Sequence, residues 1–178
     1  MQIKRTKENR EKIFIFATDT AYKTLQKEQI FSDAVISIDG QNISHQHFLR
    51  KINDKTILVS MMAVNNEVGS IMPVSKIRSA VKRAKAPALI HSDCVQAFGK
   101  IPLSPNTLGA DIITISAHKI HGPKGVGGIY LKAKNIIKPY MLGGEQEGNI
   151  FAGTQGMPAI FGFGEAAEEA KNITENGE

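Results

Sequence analysis

The chain contains no tryptophan and a single cysteine, Cys94. One thiol excludes an internal disulfide and suits a reducing compartment. Aromatic residues make up only 6% of the sequence and do not interleave with its basic residues. That shortage, with no recognisable nucleic-acid motif, argues against a nucleic-acid partner. Long apolar runs are absent as well. No window approaches the ~18 apolar residues of a membrane span, and the charged opening segment has no apolar core of signal-peptide length. The expectation is a soluble cytoplasmic protein with no membrane partner.

What is present suits one α/β domain. A chain of 178 residues can bury roughly two-thirds of its unfolded surface. Lys plus Arg outnumber Asp plus Glu by 22 to 17, a formal charge of +5. The excess lies mostly before Lys85, with a cluster at Lys82, Arg83 and Lys85 that reads as solvated surface. Three segments are expected: a charged N-terminal stretch over 1–12, a domain over 13–172 and a polar tail over 173–178.

Hydrophobic periodicity predicts strands at 13–17, 34–38, 56–61, 88–90, 110–115 and 126–131. Between them, 22–27 is weakly helical and 43–53 can form a helix capped by Asn42 or Ser44. Another helix opens with Pro73 in an N1-like place and carries Val74, Ile77 and Val81 at helical spacing. A last helix is expected over 158–170, where Gly162 and Gly164 each cost ~1 kcal/mol of propensity, so close packing must hold it. Alternating strands and helices predict a largely parallel sheet with helices on both faces. In such sheets the polar residues beyond strand carboxyl ends are functional candidates. Three groups qualify: Asn65, Asp93, and Ser116 with His118 and Lys119.

Each of these side chains has a chemistry. Lys119 can form an imine with a carbonyl when partly deprotonated. His118 can stack on a ring or move a proton, and Asp93 can hold a protonated ring nitrogen. Gln96 follows Asp93 closely enough to reach the same ligand edge. Asn65 can donate to a phenolic oxygen and Ser116 to a phosphate. Each also has a plainer use: Lys119 as a solvated loop residue, Asp93 as a cap, Asn65 as a partner for its own backbone. His118 and His121 hint at a metal, but no carboxylate or thiol stands at a familiar ligand spacing, so no metal site is expected.

Order and spacing carry more than composition. Ala-x-Asn-Asn-Glu-x-Gly over 63–69, His-Ser-Asp-x-x-Gln over 91–96 and Ser-Ala-His-Lys-x-x-Gly-Pro-Lys-Gly over 116–125 together resemble the cysteine desulfurases of the class V aminotransferase family. The resemblance runs from about Ile13 to Ala170. It implies a partial large domain of a pyridoxal 5'-phosphate (PLP)-dependent transferase, with catalytic roles for Lys119 and His118. In that reading Lys119 binds PLP covalently and Asp93 partners the pyridine nitrogen. Gln96 and Asn65 contact the phenolic oxygen, and Ser116 and His118 the phosphate. Thr154 reaches the phosphate of the other subunit across a homodimer interface. The implied reaction takes sulfur from L-cysteine as an enzyme persulfide and releases L-alanine. Sulfur acceptors, including those of iron–sulfur cluster assembly, are the implied partners.

The resemblance also has departures. It covers the middle of such an enzyme, so the glycine/threonine phosphate turn before it and the small domain after it are expected to be missing. The latter carries the persulfide-forming cysteine and the arginine that grips the substrate. Cys94, between Asp93 and Gln96, is expected to be a buried packing residue. Thr20 stands where a ring-stacking histidine is usual and can neither stack nor relay a proton. Gly148 and Phe151 occupy two arginine positions, removing two fixed donor forks. The chain is therefore expected to be inactive alone. Two alternatives stay open: a non-catalytic dimerising or scaffold remnant that associates with a full-length desulfurase, and a related PLP enzyme acting on selenocysteine.

Overall fold

Short apolar and β-branched runs build the sheets of this protein, seen in a computed structural model that describes residues 16–18, 34–36, 45–133, 137–139 and 142–176. Strands β1 (Phe16–Thr18) and β2 (Ala34–Ile36) pair in parallel. A four-stranded sheet follows the order β3 (Leu58–Met62), β4 (Leu89–Asp93), β5 (Ile112–Ser116) and β6 (Gly127–Leu131). Its first three strands are parallel and β6 returns antiparallel. Around them lie helices α1 (His45–Arg50), α2 (Ser75–Ala84) and α3 (Pro105–Leu108), a 3-10 turn over Ala117–Lys119, the short α4 (Gln146–Asn149) and the long α5 (Met157–Asn176). The expected α/β class, a mostly parallel sheet flanked by helices, is what the chain forms. The expected helix over 22–27 and the position of Thr20 fall outside the described residues.

The strands follow one another across the sheet in chain order. Right-handed crossovers then place every connection between parallel neighbours on the same side. Packing agrees. Side chains alternate along a strand, and Val59, Met61, Ile90 and Ile113 share a core with Val74, Ile77 and Val81 beside α2 and along it. Phe48 and Leu49 of α1 pack against that same core. At the β6 edge, Phe163 of α5 sits on this side too, 3.7 Å from where a Cβ on Gly128 would stand. Helices were expected on both faces; those whose packing is described gather on one.

One element start and one element end differ from expectation for clear reasons. Helix α2 begins at Ser75 with Val74 as its cap, so Pro73 precedes the helix instead of opening it. The Pro73 and Val74 carbonyls accept from Lys76 and Ile77 at 3.0 and 2.9 Å, a tight turn that needs no donor from proline. Strand β4 runs on to Asp93 instead of ending near Ile90. The polar residues His91, Ser92 and Asp93 still alternate, with Ser92 completely buried on the helix side and the other two on the opposite face.

One ion pair locks the layers. Arg78 Nη2 of α2 lies 2.6 Å from Asp111 Oδ1 and 2.8 Å from the Gly109 carbonyl. The other Asp111 oxygen accepts the Ile90 N–H at 2.9 Å. Gly162, a weak point by propensity, is where α5 meets the Lys119 loop: a Cβ there would lie 2.8 Å from Pro123 Cγ. The expected close packing is met at Gly162, whereas nothing lies within 4 Å of a Cβ on Gly164.

Candidate active site

The carboxyl ends of β3, β4 and β5 lie side by side, with Asp93 facing Met62 on one side and Thr114 on the other. Asp93 Oδ1 accepts the Val95 N–H at 3.0 Å. Among the described residues its Oδ2 makes no hydrogen bond. The capping use and the ligand use thus fall to different oxygens of one carboxylate.

Asn65 is buried in the loop after β3, and its Oδ1 accepts the N–H groups of Glu67 and Val68, both at 2.9 Å. With the carbonyl turned into its own loop, the side-chain NH2 is the donor end of this amide. The loop starts beside Asp93, because the Ala63 N–H donates to the Asp93 carbonyl at 2.8 Å. Half-buried Gln96 accepts from Lys100 Nζ at 3.2 Å.

Ser116 Oγ at the end of β5 and His118 Nδ1 in the 3-10 turn are 2.6 Å apart. Lys119 ends the 3-10 turn, exposed, and among the described residues its Nζ makes no hydrogen bond or ion pair. Buried Ala117 and Ile120 anchor that turn, and the Ala117 carbonyl accepts from Ile120 and Gly122, both at 3.0 Å. Gly122 is required here: a Cβ would sit 2.9 Å from Ala117 Cβ and 3.2 Å from Ala166 Cβ. The lysine is exposed, but its backbone is clamped.

Thr154 is exposed on the connection between α4 and α5, and no described contact joins it to the strand ends. Gly148 has a left-handed backbone, φ 65°, within the kinked α4, where Glu147 and Asn149 share that conformation. Phe151 is exposed as well.

A row of side chains that sequence reasoning did not single out as a unit lies beneath Asp93. His91 Nδ1 is 2.7 Å from Ser60 Oγ, and its Nε2 is 3.0 Å from Thr114 Oγ1. Burial pulls the imidazole below its ordinary range, against an upward pull from the Asp93 charge. The available signal was the polar run His91, Ser92 and Asp93 following the apolar Leu89 and Ile90. Its partners sit 31 and 23 residues away and emerge only from strand register. On the other face, completely buried Cys94 donates from Sγ to Ser92 Oγ at 3.4 Å. Burial pushes that thiol up, the Ser92 bond pulls it down, and the Asp93 charge adds to the rise.

The donor set fits PLP: an amine for the aldehyde, a carboxylate oxygen for a protonated ring nitrogen, a hydroxyl and imidazole for phosphate, and an amide for the phenolic oxygen. Fold and site together define an α/β protein of the PLP-dependent enzyme type. The family model for aminotransferase class V matches residues 17–176, and the chain belongs to that family. Its members are PLP-dependent enzymes.

Among curated relatives, the mitochondrial cysteine desulfurase of Candida maltosa is 36% identical over 166 residues, covering 88% of this chain and 34% of that protein. Cysteine desulfurase of Trichormus azollae is 44% identical over 141 residues, covering 79% of this chain and 35% of its own length. A solved NifS-like protein superposes with TM-score 0.74 at 33% identity, covering 96% of this chain and 49% of that one. The chain thus spans about a third of these curated relatives and half of that solved structure. Another structure, SspA in complex with cysteine, gives TM-score 0.69 at 28% identity, covering 86% of this chain and 46% of that one. Among the described residues no helix is long and apolar enough to cross a membrane.

Proposed function

We propose that this chain is the PLP-holding core of a cysteine desulfurase, whose family reaction moves sulfur from L-cysteine to an enzyme persulfide and leaves L-alanine. The observation that carries this reading is the juxtaposition of Asp93 and the Lys119 turn at the ends of adjacent strands, each with an unengaged polar atom among the described residues. When bound, PLP supplies the electron sink that stabilises a carbanion next to an amino group. The residues supply the rest. Lys119 binds the cofactor covalently from its clamped turn. Asp93 Oδ2 holds and charge-balances the ring nitrogen, while Asn65 and Gln96 donate to the phenolic oxygen. Ser116 and His118, already paired, hold the phosphate, and His118 moves the proton at the reacting carbon. Thr154 serves the phosphate of a second subunit in a homodimer.

The core does not complete the reaction by itself. Its only thiol, Cys94, is completely buried with a raised pKa, which is the opposite of what a persulfide carrier needs. Thr20, Gly148 and Phe151 in place of a histidine and two arginines support the same conclusion, and favour association with a full-length desulfurase as the second reading. Sulfur acceptors, those of iron–sulfur cluster assembly among them, belong to the complete system. A cytoplasmic setting fits the single, unpaired cysteine.

The test is direct. Adding PLP to the chain should produce a visible absorbance band, and borohydride reduction followed by peptide mapping should place the adduct on Lys119. Alanine release from cysteine should be negligible until a full-length desulfurase is added. Absence of an adduct under saturating PLP overturns the reading.

A further inference from the structure

The Ser60–His91–Thr114 row has no part in the roles assigned above, yet it lies on the same face of the sheet as Asp93 and directly adjoins it. His91 and Asp93 are two residues apart on β4, so both point to that face. Ser60 is the register partner of His91, and Thr114 is the register partner of Asp93. The imidazole is therefore strung across three strands, one nitrogen on each neighbour.

The choice of partners is informative. A neutral imidazole needs one donor and one acceptor, whereas an imidazolium needs two acceptors. Two hydroxyls satisfy both states, since each can donate or accept by rotating about its C–O bond. The row therefore holds the ring in place whatever its charge. What distinguishes the two states is Asp93, the one charged group acting on His91 among the described residues; Ser60 and Thr114 carry no charge.

Building on the PLP site proposed above, we propose that His91 is a proton-responsive positioning residue for Asp93. Neutral, it leaves the Asp93 carboxylate to the cationic ring nitrogen of the cofactor. Protonated, it competes for that carboxylate from below and repels the ring cation, so the cofactor grip loosens in acid. Half-burial of the imidazole, which favours its neutral form, keeps the tight-binding state dominant at neutral pH. Linkage makes the effect mutual: bound cofactor must in turn disfavour the protonation of His91.

Two measurements on the full chain test this. The first needs no cofactor. NMR titration of the His91 imidazole should show a midpoint below that of a free imidazole, and Asp93→Asn should lower it further by removing the anion. A midpoint unmoved by Asp93→Asn overturns the coupling. The second compares PLP dissociation constants by equilibrium dialysis between pH 5 and 8 for the wild type and His91→Gln. Every group other than His91 is common to both proteins, so the difference isolates His91. The wild type should lose about fivefold or more affinity on acidification beyond what His91→Gln loses. Identical pH profiles overturn the role of His91 while leaving the PLP reading intact. A wild-type chain that takes up no PLP at any pH overturns that reading and this role together.

Discussion

Arg78 and Asp111 join the helix layer to the sheet through a contact of 2.6 Å, and the same carboxylate holds the Ile90 N–H of the central strand β4. Burial alone would raise the Asp111 pKa. The Arg78 hydrogen bond, the Ile90 N–H and the charges of Arg78 and Lys132 outweigh it, leaving the carboxyl below its ordinary range. Asp111→Asn should cost about 2 kcal/mol in urea unfolding at pH 7, since it leaves a half-buried guanidinium without its anion.

The same pair fixes a pH dependence. A carboxyl whose folded pKa is depressed contributes fully above its unfolded value, about pH 4, and loses that contribution as pH falls through the folded value. Unfolding free energy of the wild type should therefore fall more steeply below about pH 4 than that of Asp111→Asn. Parallel acid limbs for the two proteins would contradict this.

Asp93→Asn separates the two uses of one side chain. Asparagine keeps an oxygen for the Val95 N–H, so thermal unfolding should move little. The charge opposite the ring nitrogen disappears, so the PLP dissociation constant should rise about tenfold or more. Equilibrium dialysis with a parallel melt distinguishes this from general destabilisation.

Cys94 should behave as a packing residue. Its thiol should resist maleimide in the folded chain and react promptly once urea unfolds it. Persulfide should not accumulate on it when the chain is mixed with cysteine and PLP, as mass spectrometry would read.

Gly99 couples the turn after β4 to α5. Its backbone is left-handed, φ 70°, and a Cβ would lie 2.7 Å from Ala170 Cβ and 2.9 Å from Ile120 Cγ2. Gly99→Ala should cost about 2–4 kcal/mol, combining backbone strain with overpacking. Hydrogen exchange should show the loss concentrated in α5 and in the neighbouring Lys119 turn.

Much of this was legible in the sequence because local signals agreed with the fold. The apolar stripe Val74, Ile77 and Val81 predicts a helix with one buried face, and all three residues are buried. The run before Ser116 predicts a strand that ends in a polar turn, and β5 does so. Asp93 and Lys119 were visible as strand-end residues. Less legible were features set by long-range pairing. Polar letters at His91 and Asp93 suggested a strand that ended early, whereas they line one face of a strand whose other face is buried. The partnership of His91 with Ser60 and Thr114 depends on register, which no local pattern encodes. The short α3 was missed as well, although Ser104, Pro105 and Gly109 supply its cap, first turn and left-handed end.

The alternation along β4 has a consequence for how the chain can change over generations. Ile90 and Ser92 answer to the helices behind the sheet, while His91 and Asp93 answer to whatever occupies the opposite face. Structural and chemical instructions are written on interleaved letters of one five-residue word. Either series can drift while the other stays legible, so a fold of this kind can outlast its chemistry, and its chemistry can be revised without rewriting the fold.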